Sequence, residues 1–339
     1  MKSIYLVKNG NSEQAFETRE LPIPEPSDNE VRIKVEVFGL NFADVMARKG
    51  LYQDCPPLPC VLGYEVVGSI DAVGKNVTNT NIGDRVAAFT QFGGYSEYVI
   101  TDKNGFVKIP NDMPAIFAAS LVTQYCTAYF SCMEATKVYE GENVLVHAAA
   151  GGLGTAWVQL LLLRKANIFG TCSSDAKVEY LKSIGVHHPI NYKTKDYRDE
   201  ITSIIGEKKI DVIFDSLGGK YIRDGVKMLA PCGRIVCVGG AELLSTKNPI
   251  IRIGKMLQFG LYHPGILMMS SKAIIGINML KVGQNKPQVL IRVLNEVVSL
   301  AQKGLIKPAA GKEYNINQLV EAHNALENRT TMGKLEVRW

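Results

Sequence analysis

The stretch Val144-Leu145-Val146-His147-Ala148-Ala149-Ala150-Gly151-Gly152-Leu153-Gly154 decides the fold. It is an apolar run that passes through small residues and glycines into a helical segment, Ala156 to Lys165. A strand, a glycine turn and a helix in that order form a phosphate-binding turn. Glycine lets the backbone approach a pyrophosphate closely, and the helix aims unsatisfied N–H groups and the positive end of its dipole at it. Asn167 to Cys172 reads as a second strand, which completes a βαβ unit of the expected length, about thirty residues.

Working outward from that unit, the pattern repeats. Pro189 to Tyr192 reads as a short strand, Tyr197 to Ile205 as a helix, Ile210 to Asp215 as a strand, Lys220 to Leu229 as a helix and Arg234 to Gly240 as a strand. Near-continuous apolar strands alternating with amphipathic helices imply a parallel sheet covered on both faces, the doubly wound nucleotide-binding architecture. Residues 123–279 are assigned to this domain. Residues 1–122 have another texture, with β-branched strands such as Val31 to Val37 and turns rich in Gly, Pro and Asn. The last sixty residues, with a helix at Gln288 to Lys303 and an end strand at Gly333 to Val337, return to it, so residues 280–339 join that β-rich domain and the cofactor domain is an insertion.

Composition limits the function classes. A net charge of +5 over 339 residues, with no basic run, points away from nucleic acid and anionic membranes and suits a phosphate-rich cofactor. Seven cysteines, an odd number without CxxC spacing, read as reduced cytosolic thiols. Cys55 and Cys60 bracket a Pro-rich loop, where a redox role competes with idle thiols. The start, Met1 to Val7, lacks the apolar core of a signal peptide, and the longest leucine-rich stretch, Val158 to Leu163, falls far short of the roughly 20 residues needed to span a bilayer. A cytoplasmic protein with no integral membrane segment is expected.

Gly39 to Asp44, Gly63 to Gly68, Gly83 to Val86 and the glycine turn occur in the order found in the medium-chain dehydrogenase/reductase superfamily, which the chain resembles over nearly its whole length. Asn41-Phe42-Ala43-Asp44 followed by Gly50-Leu51-Tyr52 resembles its zinc-free quinone oxidoreductase family, related to zeta-crystallin. Pro189 to Tyr192, Asp215 to Gly219 and Leu305 to Pro308 resemble the branch that contains the vesicle amine transport protein. The resemblance implies a β-rich GroES-like catalytic domain carrying an inserted doubly wound Rossmann domain. It also implies a homodimer in which the strand from Lys272 to Asn278 pairs with its copy.

Zinc members of the superfamily ligate the metal with Cys, His and Cys. Here Asn41, Tyr64 and Thr123 stand at those positions, and the segment from Phe89 to Gly94 has no structural-zinc cysteines. Asn and Tyr are poor zinc ligands, so no metal is expected. Without a Lewis acid the product must stabilise its own negative charge. A hydroquinone anion resembles a phenolate, with a conjugate acid near ~10. An aliphatic alkoxide lies closer to water, at about 15.7, which puts the ketone at a disadvantage on the order of 8 kcal/mol. Quinones and related conjugated carbonyls are therefore the expected acceptors.

By position, the resemblance assigns Asn41 and Tyr52 to substrate or nicotinamide positioning. It assigns cofactor contacts to Asn41, Thr127, Gly151, Gly152, Leu153, Gly154, Ser174, Lys177, Tyr192, Ser216, Gly239, Gly240, Asn278 and Lys334. Asn41 also reads as a turn residue satisfying local backbone groups, Tyr52 as an amphipathic residue closing a Pro-rich loop, and Asp44 and Glu65 as structural. An NAD enzyme carries an acidic residue about twenty positions after its glycine turn. Ser173 and Ser174 stand there instead, with Lys177 following, which favours NADPH over NADH; Ser174 also reads as a helix cap, and Asp175 is an unfavourable neighbour for a phosphate.

The five histidines form no catalytic constellation: His147 reads as core, His187 and His188 as surface. His263 lies in an apolar stretch, Phe259 to Met269, that reads as a cap over the substrate, a dimer contact or a buried loop. The expectation is a zinc-independent NADPH oxidoreductase acting on quinones or conjugated carbonyls. An enal or enone double-bond reductase and a low-turnover NADPH-binding, vesicle-associated interaction protein are its rivals.

Overall fold

The computed structural model describes residues 1–246, 248–309 and 311–339. In chain order the strands are β1 (Lys2–Leu6), β2 (Phe16–Glu20), β3 (Glu30–Leu40), β4 (Cys60–Val61), β5 (Glu65–Val73), β6 (Arg85–Phe89), β7 (Tyr98–Asp102) and β8 (Phe106–Lys108). They continue with β9 (Asn143–Val146), β10 (Asn167–Cys172), β11 (His188–Asn191), β12 (Ile210–Asp215), β13 (Leu229–Cys237), β14 (Ala273–Gly276), β15 (Lys312–Asn315) and β16 (Leu335–Arg338). Two compact units result, Met1–Cys126 with Met279–Trp339, and Thr127–Asn278.

In the first unit, β3 alternates as a half-buried strand should. Val31, Ile33, Val35 and Val37 point into the core, while Arg32, Lys34 and Glu36 are at least partly exposed. It forms the centre of a sheet ordered β15-β16-β3-β5-β6-β8, with β7 also paired to β3. Two register shifts between β3 and β5 bend the pair. A smaller sheet, β2-β1-β4, packs its Ile4 and Leu6 into the same core. The last strand begins at Leu335 rather than Gly333, because Gly333 takes a positive φ of 67° and Lys334 is diverted into the interior.

The second unit is a six-stranded parallel sheet ordered β11-β10-β9-β12-β13-β14. Helices Gly152–Leu163, Asp175–Ser183, Tyr197–Ile205 and Lys220–Met228 each follow a strand, as the alternating pattern predicts. β13 starts at Leu229, earlier than the expected Arg234, since Leu229 pairs with Ile210 ahead of a register shift and Cys232 turns the chain with φ at 66°. Trp157 lies fully buried beneath the sheet, stacked on Phe214 with ring centroids 5.2 Å apart, its indole N–H donating to Ser131 Oγ at 2.7 Å. Among the described residues no helix is long and apolar enough to cross a membrane.

Trp157→Ala removes that stacking and leaves a cavity in the sheet's cover. The expected loss is ~3–5 kcal/mol of stability, read from urea unfolding.

Candidate functional site

In the second unit the predicted cofactor residues fall along one edge of the sheet. The strands end in register: Val146 beside Gly170 and Phe214, Cys172 beside Asn191, Asp215 beside Cys237, and Cys237 beside Gly276. Gly151 to Gly154, Ser174, Tyr192, Ser216, Gly239, Gly240 and Asn278 all lie just past those ends. Thr127 is buried in the short helix Cys126–Tyr129, away from the strand ends in sequence. The strand order reverses between β9 and β12, and open parallel sheets bind ligands at such a switch point, outside the carboxyl ends.

The turn itself is tight. Ala148 takes φ at 51°, Gly151 N–H donates to Ala148 O at 3.0 Å, and the helix opens at Gly152. A Cβ on Gly154 would sit 2.6 Å from Ala149 Cα, so this glycine lets the helix pack on its own turn. Gly151, whose Cβ would meet only Ala148 O at 3.3 Å, is the glycine that leaves space on the ligand side. The first-turn N–H groups have no acceptor within the helix and suit a phosphate.

At the end of β10, Ser174 caps the next helix, its Oγ accepting from Lys177 N–H at 3.4 Å. Asp175, the unfavourable neighbour, is drawn aside: Asn191 Nδ2 donates to its Oδ1 at 2.8 Å. Tyr192 is held by its N–H to Cys172 O at 3.0 Å. Asp215 turns the chain after β12 by accepting from Leu217 N–H at 3.0 Å and Gly218 N–H at 2.8 Å, and burial pushes its carboxyl up to about 6. His147 is fully buried with its Nδ1 3.1 Å from Thr171 Oγ1, and burial lowers it to about 3, so it is a neutral core residue as read from the sequence.

In the first unit, sheet register builds a polar cluster. β3 pairs Phe38 with Val66 of β5 and Leu40 with Leu335 of β16, which brings Gly39 toward Glu65 and Asn41 toward Lys334 one residue further on. Asn41 Nδ2 donates to both Glu65 oxygens at 2.9 Å, and Lys334 Nζ donates to Asn41 Oδ1 at 3.0 Å. Lys334 also pairs with Glu65 directly, and Thr123 Oγ1 donates to the same carboxylate. The Glu65 and Lys334 side chains are completely buried. A Cβ on Gly39 would lie 2.6 Å from Lys334 Cε, so only glycine permits this approach. Asn41 thus serves this tertiary network and also stands at the N-cap of the helix Phe42–Arg48.

Tyr52 is half-buried and meets Tyr64 edge-on, with centroids 6.0 Å apart. Burial, with the charges of Asp54 and Asp44, pushes the Tyr52 phenol up to about 12. The Tyr64 hydroxyl is buried beside it. Asp44 accepts from Asn41 N–H at 2.7 Å through one oxygen. Burial foremost, reinforced by Glu65 and opposed by the Asn41 N–H, pushes its carboxyl up to about 7. Among the described residues no cluster of three or more His, Cys, Asp or Glu side chains could hold a metal ion.

Residues 27–111 match the alcohol dehydrogenase GroES-like domain and residues 152–296 match the zinc-binding dehydrogenase family. The chain is 33% identical over 330 residues to the rat synaptic vesicle membrane protein VAT-1 homolog, covering 96% of this chain and 81% of that protein. The zebrafish homolog is 32% identical over 92% of the chain, which spans only 64% of that protein's length. Rat quinone oxidoreductase is 28% identical, over 99% and 97% of the two chains. The chain belongs to the VAT-1-like branch of the medium-chain dehydrogenase/reductase superfamily. It has that superfamily's GroES-like and Rossmann domains, and its relatives make it an oxidoreductase. Escherichia coli quinone oxidoreductase complexed with NADPH has the same fold, at 27% identity, a TM-score of 0.87 and full coverage of both chains. So has the CurK enoyl reductase, at 27% identity and a TM-score of 0.86 over 99% and 98% of the chains.

Two features of this medium-chain reductase were read only in part from the sequence. Glu65, read there as structural, is the hub of the polar cluster. Asn191 was grouped with a strand motif and not with the pocket edge. The apolar stretch Phe259 to Met269 is not a buried loop: Leu261, Met268 and Met269 are exposed, and His263 caps the helix Pro264–Ser270 by accepting from Gly265 N–H at 3.1 Å. Of the paired histidines, His187 is exposed and His188 is half-buried against Phe169.

Lys334→Met leaves the Glu65 carboxylate buried without its cation and is expected to cost ~3–5 kcal/mol. Combining it with Glu65→Gln should cost less than Lys334→Met alone, as a urea double-mutant cycle will read. Asp44 has a folded value raised from 3.8 to about 7, so its protonated form favours the native state and stability falls as pH rises through that window. Relative to Asp44→Asn, the native chain should lose up to ~4 kcal/mol between pH 4 and pH 7.

Proposed function

We propose that this oxidoreductase is zinc-independent and transfers hydride from NADPH to quinones or related conjugated carbonyls. The observation that carries the cofactor half is the single row of predicted contacts at the carboxyl edge of the parallel sheet, beginning at the Gly151 turn. Ser174, Lys177 and Tyr192 would hold the ribose 2′-phosphate, with Asp175 held to Asn191 so that its charge does not oppose binding. Ser216, Gly239, Gly240, Asn278 and Thr127 would line the rest of the dinucleotide. Bound NADPH supplies the hydride.

The residues at the family's zinc-ligand positions do not suit a divalent ion. Asn41 and Thr123 are committed to the Glu65 carboxylate, and Lys334 Nζ already donates to Asn41 Oδ1, so an added cation would meet an ammonium. In this reading the acceptor carries its own charge, which favours a quinone. The role left to the protein is orientation. Asn41, fixed by Glu65 and Lys334, presents an immobile amide edge, and Tyr52, a neutral phenol at pH 7, donates a hydrogen bond to the developing oxyanion.

A double-bond reductase is the second reading, favoured by the likeness to an enoyl reductase. An enolate is more basic than a hydroquinone anion and gains more from a donor such as Tyr52. The third, an NADPH-binding, vesicle-associated protein of low turnover, is suggested by the VAT-1 homologs. A cytoplasmic homodimer is also proposed, joined through β14: it ends the sheet order, and Ile250, Leu257, Met268 and Met269 are exposed on the nearby helices.

Purified protein with NADPH should reduce members of a panel of quinones and enals, with no stoichiometric metal in the same sample; tight binding without turnover would select the third reading. Lys177→Ala should raise the KM for NADPH about tenfold or more and leave that for NADH unchanged. Tyr52→Phe should lower kcat/KM, on the order of a hundredfold where the phenol supplies the oxyanion donor, and more for enals than for quinones.

A further inference from the structure

Cys60 is buried on β4, where the strand is fixed by pairing with Leu6 of β1. Cys55 lies on the preceding loop, half-buried, with its N–H donating to Tyr52 O at 3.1 Å. The two Sγ atoms are 3.8 Å apart. A disulfide needs about 2.05 Å, so the closure requires one loop-borne side chain to move toward a sulfur that the sheet holds still. Three of the four intervening residues are proline (Pro56, Pro57 and Pro59), which limits the loop to few conformations and keeps the sulfurs near each other. Of the other cysteines, Cys126, Cys132 and Cys172 are buried, Cys237 is half-buried, and the exposed Cys232 has Ser271 Oγ, not a thiol, at 3.7 Å.

We propose that Cys55 and Cys60 are a redox-modification site that closes to a reversible disulfide, stapling the loop after Tyr52 to the β1–β4 edge. The oxidant is a hydroperoxide. Cys55 sulfur attacks a peroxide oxygen, the O–O bond breaks, the first water (or alcohol) leaves and a sulfenic acid remains. Cys60 sulfur then attacks that sulfur, the S–S bond forms and a second water departs with the hydroxyl of the sulfenic acid. Two thiols lose two protons and two electrons, and one peroxide bond takes them up. Burial pushes the Cys55 thiol up to about 12 and raises that of Cys60, so both stay protonated at rest and the pair answers to sustained oxidant rather than to traces.

The site does not depend on the nucleotide reading, and its test uses the full chain without cofactor. Tryptic cleavage after Lys49 and Lys75 releases one peptide, residues 50–75, holding both cysteines and no other. After hydrogen peroxide this peptide should be lighter by two hydrogens, resist iodoacetamide, and regain both alkylation sites after dithiothreitol. In Cys55→Ser, an isosteric change at a half-buried loop position on the edge of the core, the loss of two hydrogens should vanish and Cys60 should alkylate. Added oxygens on Cys55 with Cys60 still alkylated, crosslinking through Cys232, or an unchanged peptide would each overturn the proposal.

Discussion

A fully buried carboxylate and a fully buried ammonium can persist only if they find each other and if every remaining lone pair and proton is used. Glu65 and Lys334 meet that condition because sheet register brings them together from opposite ends of the chain: β3 pairs with β5 on one side and with β16 on the other. Asn41, at the end of β3, bridges the pair, and Thr123 fills the remaining carboxylate valence. The return of the C-terminal segment to the first unit is thus tied to chemistry as well as to core packing. Removing the side chain of residue 39 is part of the same solution, since any Cβ there would occupy the space of Lys334 Cε.

The second unit follows a different logic. Parallel register ends neighbouring strands at one level, and the buried Asp215 turns the chain after β12 by accepting from Leu217 and Gly218 N–H. The turn after β9 is made of small residues, Ala148 to Gly154, so backbone N–H groups of the following helix are left open there. At the end of β10 the electrostatics are set locally, where Asn191 holds Asp175 by one hydrogen bond.

Much of this was legible in the sequence because it follows from local rules. The glycine turn, the strand–helix alternation and the apolar texture of β9, β10 and β12 depend on residues near one another, and the helices from Gly152 to Met228 lie close to where the pattern puts them. What could not be read depends on long-range register. Nothing near Lys334 announces that it will sit opposite Asn41, nearly three hundred residues earlier, and nothing near Glu65 announces Thr123. The start of β16 was misjudged for the same reason, because Lys334 leaves the strand pattern to reach a partner invisible to periodicity.

The cluster also constrains the chemistry. An ammonium engaged by a carboxylate and an amide lacks the open coordination position with which a metal polarises a carbonyl. The positive charge is present, but it is spent within the protein. An anion held against this cluster would therefore have to spread its charge over its own π system or draw on a neutral phenol such as Tyr52, the more so the more basic the anion. Tyr52, whose burial keeps it protonated, lies on the loop between the helix Phe42–Arg48 and β4, outside any sheet pairing.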